Sequence, residues 1–321
     1  MPLDHYVSQV HLRHFYSPAL DELMFAVRKS DGKAFCCNSK SVCRIEDGSS
    51  NAYLRRDRLI EEFLRFVEPK YNQSLGKMYD NTFDQECILS IAGFVAYVMA
   101  CSPAGIRVLS DPLRASLEST SVILDRDGEL PTAPEILGGK SLTELLGDGT
   151  VSFRIDPKFP QALGITSIIG WVSVFGNSRW EILHNEEADT PFFTSDFPVG
   201  LERSPDPRVL NRIVPLAPDL AIRICPDIRL SGQQPDLSFK TFKAEQHRLR
   251  RREVVEINRC IVRCAEDTVF YRDDFDWVVP FISKNRHYHV EGVTQRIPRG
   301  RGFLNVSTQR VVSRLTAHAA R

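Results

Sequence analysis

Apolar residues recur every three or four positions in several segments of the N-terminal half. Residues 5–15 and 57–80 have this spacing, which predicts amphipathic helices with one buried face. Pro69 lies inside the second segment and predicts a kink or break there. Residues 88–99 and 160–176 are rich in apolar residues and predict two further helices. The N-terminal half is therefore predicted to be mainly helical.

Three shorter segments between these helices have their own signals. Residues 25–37 contain two apolar runs on either side of Asp31-Gly32, which predicts a β-hairpin. Residues 125–140 are rich in Pro, Gly and Asp and predict a loop. Residues 141–149, SLTELLGDG, predict a short helix that ends at glycine.

The pattern changes in the second half. Short β-prone runs at 179–183, 191–199, 211–218 and 219–226 are separated by Pro, Asn and Asp, which predicts an antiparallel sheet. A long helix is predicted over 238–267, and an irregular tail is predicted to begin with VFYRDD, from Val269 on. The fold class is α+β, with a helical N-terminal half packed on a small antiparallel sheet and a long C-terminal helix.

The predicted domain organisation follows from these elements. Residues 1–283 form one α+β domain, with a helical part over 1–176 and the sheet plus helix over 177–283. Residues 284–321 form a basic C-terminal extension. A length of 321 residues allows one large domain or two closely packed ones.

Composition excludes some classes of protein and favours a cytoplasmic location. Hydrophobic residues make up 42% of the chain, which excludes wholesale disorder. The eight cysteines form no C-x-x-C pair and the first residues contain no apolar leader segment, so we expect reduced thiols. The uncharged stretch 87–106 is broken by Pro103, and we interpret it as a buried helix without membrane contact.

Two polar groups stand out within apolar sequence. His5 and Gln9 are four residues apart, so on one helix they would share a face and could hold a phosphate, a water or a metal. The run Thr194-Ser195-Asp196 follows two phenylalanines and could place a carboxylate at a site. The alternatives are a helix cap at His5 and a side-chain-bonded turn at Thr194-Ser195-Asp196.

Further candidates are weaker. Glu61, Glu62 and Glu68 lie on an amphipathic helix, where a solvated face is the alternative. Asn258 lies among aliphatic residues and is interpreted as a structural polar bridge to a strand carbonyl. The sequence contains no G-x-S-x-G, G-x-x-x-x-G-K-[ST], G-x-G-x-x-G or H-E-x-x-H motif. These absences argue against classical serine hydrolases, P-loop enzymes and Rossmann dehydrogenases.

The opening HYVSQVHLRHF resembles the HYxPQxYLRxF opening of a bacterial family known as the domain of unknown function 4238 family. Trp180 followed by FFTSDFPV is similar to the family's W…FxTSDxPV signature, and EINRCIVRCAEDTVF is similar to its Asn-led helix. Ser8 stands where the family usually has Pro. The resemblance covers about residues 4–272 and implies no activity. It marks these positions: His5, Gln9, Trp180, Thr194, Ser195, Asp196 and Asn258.

Charge is unevenly distributed along a chain whose formal net charge is zero. Residues 240–252 contain six Lys/Arg and one Glu, and residues 284–321 contain eight Lys/Arg and one Glu. Residues 181–206 contain seven Asp/Glu and one Arg. Basic segments of this kind suit a phosphate backbone and predict nucleic acid as a partner, with a solvated helix and a frayed tail as the alternative.

The functional hypothesis is a nuclease-like hydrolase directed at a phosphodiester or a nucleotide, in a bacterial toxin or defence setting. Its alternative is a non-catalytic interaction or regulatory module whose marked residues are structural. In the enzyme, His5 is the acid/base or phosphate contact, Gln9 orients it, and Asp196 is the general base or a metal ligand.

The remaining roles in this hypothesis concern a cation and the substrate. Glu62 or Glu68 supplies a second carboxylate for Mg²⁺. The substrate-binding candidates are Thr194, Ser195, Asn258, Arg13, Arg250, Arg251 and Arg252.

Limited proteolysis tests the predicted domain organisation. We expect the first cuts in the loop at 125–140 and after about Lys284, because these segments are polar and exposed by composition. Mass spectrometry of the fragments locates the cuts. Early cleavage into two stable halves near residue 180 would contradict a single domain over 1–283.

Overall fold

The computed structural model describes residues 3–317, in which helices and short strands are mixed. The helices are α1 (Gln9–Arg13), α2 (Leu59–Val67), α3 (Tyr71–Tyr79), α4 (Gln85–Cys101), α5 (Pro103–Arg126), α6 (Leu142–Gly147), α7 (Lys158–Gly176), α8 (Arg251–Cys264), α9 (Val278–Asn285) and α10 (Arg314–Ala317). The strands are β1 (Leu3–His5), β2 (Met24–Arg28), β3 (Ala34–Cys37), β4 (Arg44–Glu46), β5 (Arg179–Asn185), β6 (Thr194–Ser195), β7 (Gly200–Arg203), β8 (Leu210–Ala217), β9 (Leu220–Cys225), β10 (Lys243–Leu249), β11 (Thr268–Tyr271), β12 (Tyr288–Arg299) and β13 (Gly302–Ser313).

Helix α4 lies at the centre of the largest apolar cluster, and most of its residues are buried. It packs against α7, α5 and α3. The chain bends by 63° between α4 and α5, where the Ser102 hydroxyl accepts a hydrogen bond from the Gly105 N–H at 3.1 Å. A Cβ at Gly105 would lie 2.1 Å from the carbonyl oxygen of Met99, so glycine is required at this close approach. The helices predicted over 88–99 and 160–176 are confirmed.

Among the described residues, α7 is the helix that is long and apolar enough to cross a membrane, and half of its apolar window is buried. Helices α4 and α5 meet the same test only as a bent pair. Core helices of globular proteins have the same length and composition. The stretch 87–106 is buried within the fold, as the sequence predicted.

Two local predictions in the N-terminal half are confirmed. Strands β2 and β3 pair as an antiparallel hairpin, and Gly32 in their turn has a φ of 76°. A 3₁₀ turn over Glu68–Lys70 separates α2 from α3, because Pro69 cannot continue the hydrogen bonding of α2.

The helix predicted over 5–15 is shorter than expected. His5 ends strand β1, and α1 begins only at Gln9. Ser8 precedes α1 with φ −58° and ψ 133°, an extended conformation that interrupts any helix between the two. His5 and Gln9 therefore do not share a helix face.

The main sheet has five strands in the order β10-β5-β9-β8-β7. Strands β5, β9, β8 and β7 pair antiparallel, as predicted, but β10 pairs parallel to β5. One face of β5 presents Trp180 and Ile182 to the helical core, and the other presents Leu183 to α8. The result is three layers, with helices on both faces of the sheet.

The predicted long helix over 238–267 is wrong. Its first part is strand β10, and α8 begins at Arg251. The apolar stripe of α8 starts at Val254, so nothing in Lys243–Leu249 gives a helix a buried face. Charged residues are typical of an edge strand, where they discourage pairing with other chains.

A second sheet, in the order β3-β2-β11-β6, joins the two halves of the chain. Strand β11 pairs antiparallel with β2 on one side and with β6 on the other. The prediction of helices first and one sheet afterwards is therefore wrong, because the N-terminal hairpin supplies two strands of this sheet.

The predicted irregular tail is also wrong within the described residues. After β11 the chain forms α9 and a hairpin of two 12-residue strands, β12 and β13. The hairpin packs along α5, where the Thr294 hydroxyl donates to Asp111 at 2.8 Å and Arg107 donates to the Val290 carbonyl at 2.7 Å. The domain boundary between residues 283 and 284 stays a prediction.

His11 connects the N-terminal segment to the second sheet. Its ring is fully buried, with Nδ1 2.7 Å from the Tyr71 hydroxyl and Nε2 2.8 Å from the Thr194 hydroxyl. The ring also stacks on Phe94, with 4.7 Å between centroids. Burial lowers the pKa of His11 to about 3, so the ring is neutral in the folded protein at neutral pH.

This pKa predicts a loss of stability in acid. The folded pKa lies below the unfolded value of about 6.5, so the unfolded state takes up a proton first as the pH falls. Between pH 7 and pH 5 the free energy of unfolding should drop by about 2 kcal/mol through His11 alone. Urea unfolding of wild type and His11→Gln at both pH values measures this, and the variant should lose that much less.

The matched control is His14→Gln, because His14 bonds to Asn72 at the surface. This variant should keep the full pH dependence of the wild type. An equal loss of stability in wild type and His11→Gln would contradict the neutral, buried state of His11.

Candidate functional site

The run Thr194-Ser195-Asp196 is buried and held by the fold. Asp196 Oδ1 accepts from the Glu266 N–H, and Oδ2 accepts from the N–H groups of Asp267 and Thr268, all at 2.8 Å. The Ser195 hydroxyl accepts from the Phe197 N–H at 3.2 Å. Burial raises the pKa of Asp196 to about 6, although the three backbone bonds favour its charged form. These contacts fix the turn into β11.

Two other marked residues are also internal. The Asn258 side chain accepts from the Phe193 N–H at 2.9 Å and donates to the Pro191 carbonyl at 2.8 Å. It ties α8 to the segment before β6, which agrees with its interpretation as a structural bridge. The Trp180 indole N–H donates to the Phe175 carbonyl at 2.8 Å and is fully buried.

His5 and Gln9 meet at an open cavity of about 550 Å³, which we call the His5 cavity. His5 Nε2 lies 3.1 Å from the Ser39 carbonyl oxygen, and Gln9 Nε2 lies 3.4 Å from His5 Nδ1. Burial lowers the pKa of His5. Gln9 Oε1 is shielded from solvent and has no hydrogen-bond partner. Polar residues that line the cavity are Asp4, His5, Gln9, Arg13, Ser49, Glu61, Arg65 and Glu68.

The carboxylates around the His5 cavity are already bonded within the protein. Glu68 accepts from the Ser8 hydroxyl at 2.6 Å, and Asp4 accepts from the Ser49 N–H at 3.0 Å. Glu61 forms an ion pair with Arg58. Glu62, the other predicted carboxylate, pairs with Arg56 at 2.8 Å and does not line the cavity.

The arginines of the cavity differ from its carboxylates. Arg13 and Arg65 are exposed, and neither forms an ion pair within residues 3–317. The cavity therefore presents two free guanidinium groups beside a neutral imidazole. Guanidinium groups of this kind can bind planar or tetrahedral oxygens of an anionic ligand.

The structure places His5 and Asp196 in different surroundings. His5 lines the open cavity, whereas Asp196 is 4% exposed and its carboxylate oxygens accept hydrogen bonds from backbone N–H groups. Glu68 lines the cavity together with His5. The described part of the chain contains no group of three or more His, Cys, Asp or Glu side chains arranged to hold a metal ion. A shared Mg²⁺ site at Asp196 and Glu68 stays a prediction.

The link between the opening segment and the Thr194-Ser195-Asp196 run passes through residues that the sequence pattern did not mark. His11 contacts Thr194 directly. Burial raises the pKa of Tyr6, and the nearby Cys43 and Asp196 raise it further. Helical spacing could not have marked His11, because Val7 precedes the extended residue Ser8 and lies outside α1.

The basic segment 240–252 faces acidic partners. Because β10 runs parallel to β5, Arg248 lies 3.2 Å from Glu186, and Arg251 lies 3.1 Å from Asp189. Arg250 and Arg252 form no ion pair within the described residues, and Arg252 lines a second cavity beside α8. The charge separation along the sequence is thus partly neutralised in the fold.

Comparison with known proteins agrees with the resemblance of the opening segment. A family model described as "Protein of unknown function (DUF4238)" matches residues 4–275. No curated protein and no solved structure matches the chain. The matched region contains the His5 cavity, the buried Thr194-Ser195-Asp196 run and α8, so both the open and the internal parts of the candidate site lie within the family region. The chain belongs to the DUF4238 family.

Proposed function

We propose that this protein is a hydrolase that acts on a nucleotide or another phosphate ester in the His5 cavity. The observation that carries the proposal is the pairing of His5 with two arginines, Arg13 and Arg65, that have no ion pair within the described residues. Free guanidinium groups bind phosphate oxygens through paired N–H donors. A volume of about 550 Å³ suits a small molecule of nucleotide size.

The hydrogen bonds of His5 favour the neutral tautomer that can act as a general base. The Ser39 carbonyl accepts from Nε2–H and so selects the tautomer in which Nδ1 carries the lone pair. Burial lowers the pKa of His5, which keeps this neutral form at pH 7. The bond from Gln9 to Nδ1 is long, at 3.4 Å, so a water molecule can replace it.

The proposed step is attack of that water on phosphorus. His5 Nδ1 takes one proton from the water as its oxygen forms the new P–O bond. The ester P–O bond breaks, and its electron pair leaves with the departing oxygen. Arg13 and Arg65 contact the phosphoryl oxygens and stabilise the charge that develops there.

The Gln9 side chain favours a ligand that carries a hydrogen-bond donor close to the ligand's phosphate group. Its Oε1 is shielded and unpartnered in the free protein. An unmade bond to a buried polar atom costs about 1–3 kcal/mol, so a ligand that donates to Oε1 recovers this energy. A ribose hydroxyl or an exocyclic amine of a nucleotide provides such a donor.

Variants of His5 and the arginines test this proposal. His5→Gln should lower the rate of phosphate release from nucleotides by about 10²–10⁴-fold with little change in affinity, because it removes only the base. Arg13→Gln and Arg65→Gln should each weaken nucleotide binding by about tenfold or more. In the wild type, the rate should fall as the pH drops through the pKa of His5, below about 6.5. Calorimetry and a phosphate-release assay with ATP and AMP measure these effects.

Arg154→Gln is the matched control, since Arg154 is exposed and lies outside the His5 cavity. It should leave both binding and turnover unchanged. Nucleotide binding without turnover would contradict the hydrolase and support the non-catalytic alternative. That alternative is favoured by the internal bonding of Thr194, Ser195, Asp196 and Asn258.

The β12–β13 hairpin supports a second candidate function, which is nucleic-acid binding. Arg299, Arg301 and Arg310 are exposed and have no ion pair within residues 3–317. Two antiparallel strands form a ribbon of the width that enters the major groove of DNA. The basic segment 284–321 thus offers free cations, whereas Arg248 and Arg251 of segment 240–252 face carboxylates.

Salt dependence tests the hairpin. Replacing Arg299, Arg301 and Arg310 with Gln should flatten the slope of log K against log salt by about two to three units, because each phosphate contact contributes about 0.9 for duplex DNA or about 0.7 for single strands. Anisotropy titrations with generic DNA and RNA at several salt concentrations give the slope.

Replacement of Arg250, Arg251 and Arg252 with Gln is the comparison. We expect a smaller change in slope, because Arg251 is already paired with Asp189. Absence of binding at low salt, or an unchanged slope in the hairpin variant, would argue against nucleic acid as the partner.

A further inference from the structure

A second large cavity lies where α8 leaves part of the main sheet uncovered, and we call it the α8 cavity. Its volume is about 620 Å³, and none of its lining residues belongs to the His5 cavity. Leu183 and Ile213 of the sheet pack against Ile257 of α8 at its covered end. A volume of this size is typical of sites for small organic ligands.

The floor of the α8 cavity contains an ion-pair network that is internally compensated. Glu181 of β5 lies opposite Arg223 of β9, and the two side chains form an ion pair. Arg223 also pairs with Glu202 at 2.9 Å, and Arg179 pairs with Glu181 at 2.7 Å. These carboxylates already have cationic partners, so they leave little demand for a cationic ligand.

Three arginines of the same cavity have no ion-pair partner among residues 3–317, and one of them, Arg263, instead donates to Asn285 at 3.0 Å and lies over the Tyr288 ring. Arg203 at the end of β7 and Arg252 in the first turn of α8 are exposed, and neither has an ion-pair partner among residues 3–317. His247 Nε2 is shielded from solvent and makes no hydrogen bond; its nearest carboxylate, Glu245, is 3.7 Å away. The unpaired charges of Arg203 and Arg252 and the unbonded His247 nitrogen therefore favour an anionic ligand.

The lining also contains apolar residues that continue beyond the cavity, beside charged ones on α8 such as Glu253, Glu256 and Arg259. Leu201 and Val311 line it together with Arg203. The same three residues also line a neighbouring cavity of about 630 Å³ between β7 and β13. An elongated apolar chain can therefore lie along Leu201 and Val311 while its charged end remains near Arg203.

We propose that the α8 cavity binds an organic anion with an apolar chain, such as a medium-chain carboxylate. The anionic group lies between Arg203 and Arg252, and the apolar chain covers Leu201 and Val311. Burial of each methylene of the chain contributes to affinity, and the two guanidinium groups select an anionic head over a neutral one. This site is independent of the proposed hydrolase activity at His5.

Displacement of a fluorescent probe tests the site. The probe is 8-anilinonaphthalene-1-sulfonate, an aromatic anion whose fluorescence rises in apolar surroundings. We expect one bound probe per chain, displaced by decanoate and at least tenfold less well by decanol, which lacks the charge. AMP should not displace it, because the His5 cavity is separate.

Arginine variants locate the site. Arg203→Gln and Arg252→Gln should each weaken decanoate binding by about tenfold, and the double variant by more. Arg154→Gln is the matched control and should bind as wild type does. Thermal melting of each variant verifies that it is folded, so weakened binding reports on the site itself.

Several outcomes would overturn the proposal. Equal displacement by decanol and decanoate would show an apolar surface without anion selectivity. Decanoate binding that is unchanged in the double variant would place the ligand elsewhere. If AMP displaced the probe as efficiently as decanoate does, the probe would be bound at a nucleotide site. Absence of nucleotide hydrolysis together with intact decanoate binding would refute only the proposed function at His5.

Discussion

The carboxylate of Asp196 and its three backbone N–H donors hold the two halves of the chain together. The donors belong to the turn between α8 and β11, and β11 is the strand that pairs with both β2 and β6. A buried charge without partners is strongly unfavourable. The bonds to Glu266, Asp267 and Thr268 remove that cost, and Lys29 nearby further favours the charged form.

This use of Asp196 divides the residues marked by the resemblance into two groups. Thr194, Ser195, Asp196 and Asn258 satisfy backbone groups or His11 inside the protein, so their polar atoms are not available to a ligand. The opening segment has both kinds of residue, because α1 is short and only one side of it is buried. His11 points inward to Thr194, whereas His5, Gln9 and Arg13 line the open cavity.

Electrostatics in the fold differ from the charge pattern along the chain. The acidic and basic segments that flank the main sheet face each other, because β10 pairs parallel with β5. Arg248 and Arg251 therefore meet Glu186 and Asp189. Among residues 3–317, arginines without an ion pair include those of the His5 cavity, Arg203 and Arg252 at the α8 cavity, and Arg299, Arg301 and Arg310 on the β12–β13 hairpin. A ligand or partner that carries negative charge is the common expectation at all three surfaces.

Local patterns in the sequence were sufficient for part of the fold. The helices at 88–99 and 160–176, the break at Pro69 and the hairpin around Asp31-Gly32 were predicted because each depends on neighbouring residues alone. The family was also recognisable from the opening segment and the FFTSDFPV run. His5 and Gln9 were correctly paired, although they meet across the extended residue Ser8 and not along one helix face.

By itself, the sequence determined the amphipathic helices, the turn positions and the polar residues that could carry chemistry. Tertiary structure alone decided the rest. Lys243–Leu249 is a strand because it pairs with the edge of β5. The residue pattern within the segment does not indicate that this edge is available. His5 lines an open cavity and Asp196 is internal because β11 brings backbone N–H groups to Asp196 from some 70 residues away. Contacts of that range depend on how the elements pack, which spacing along the chain does not specify.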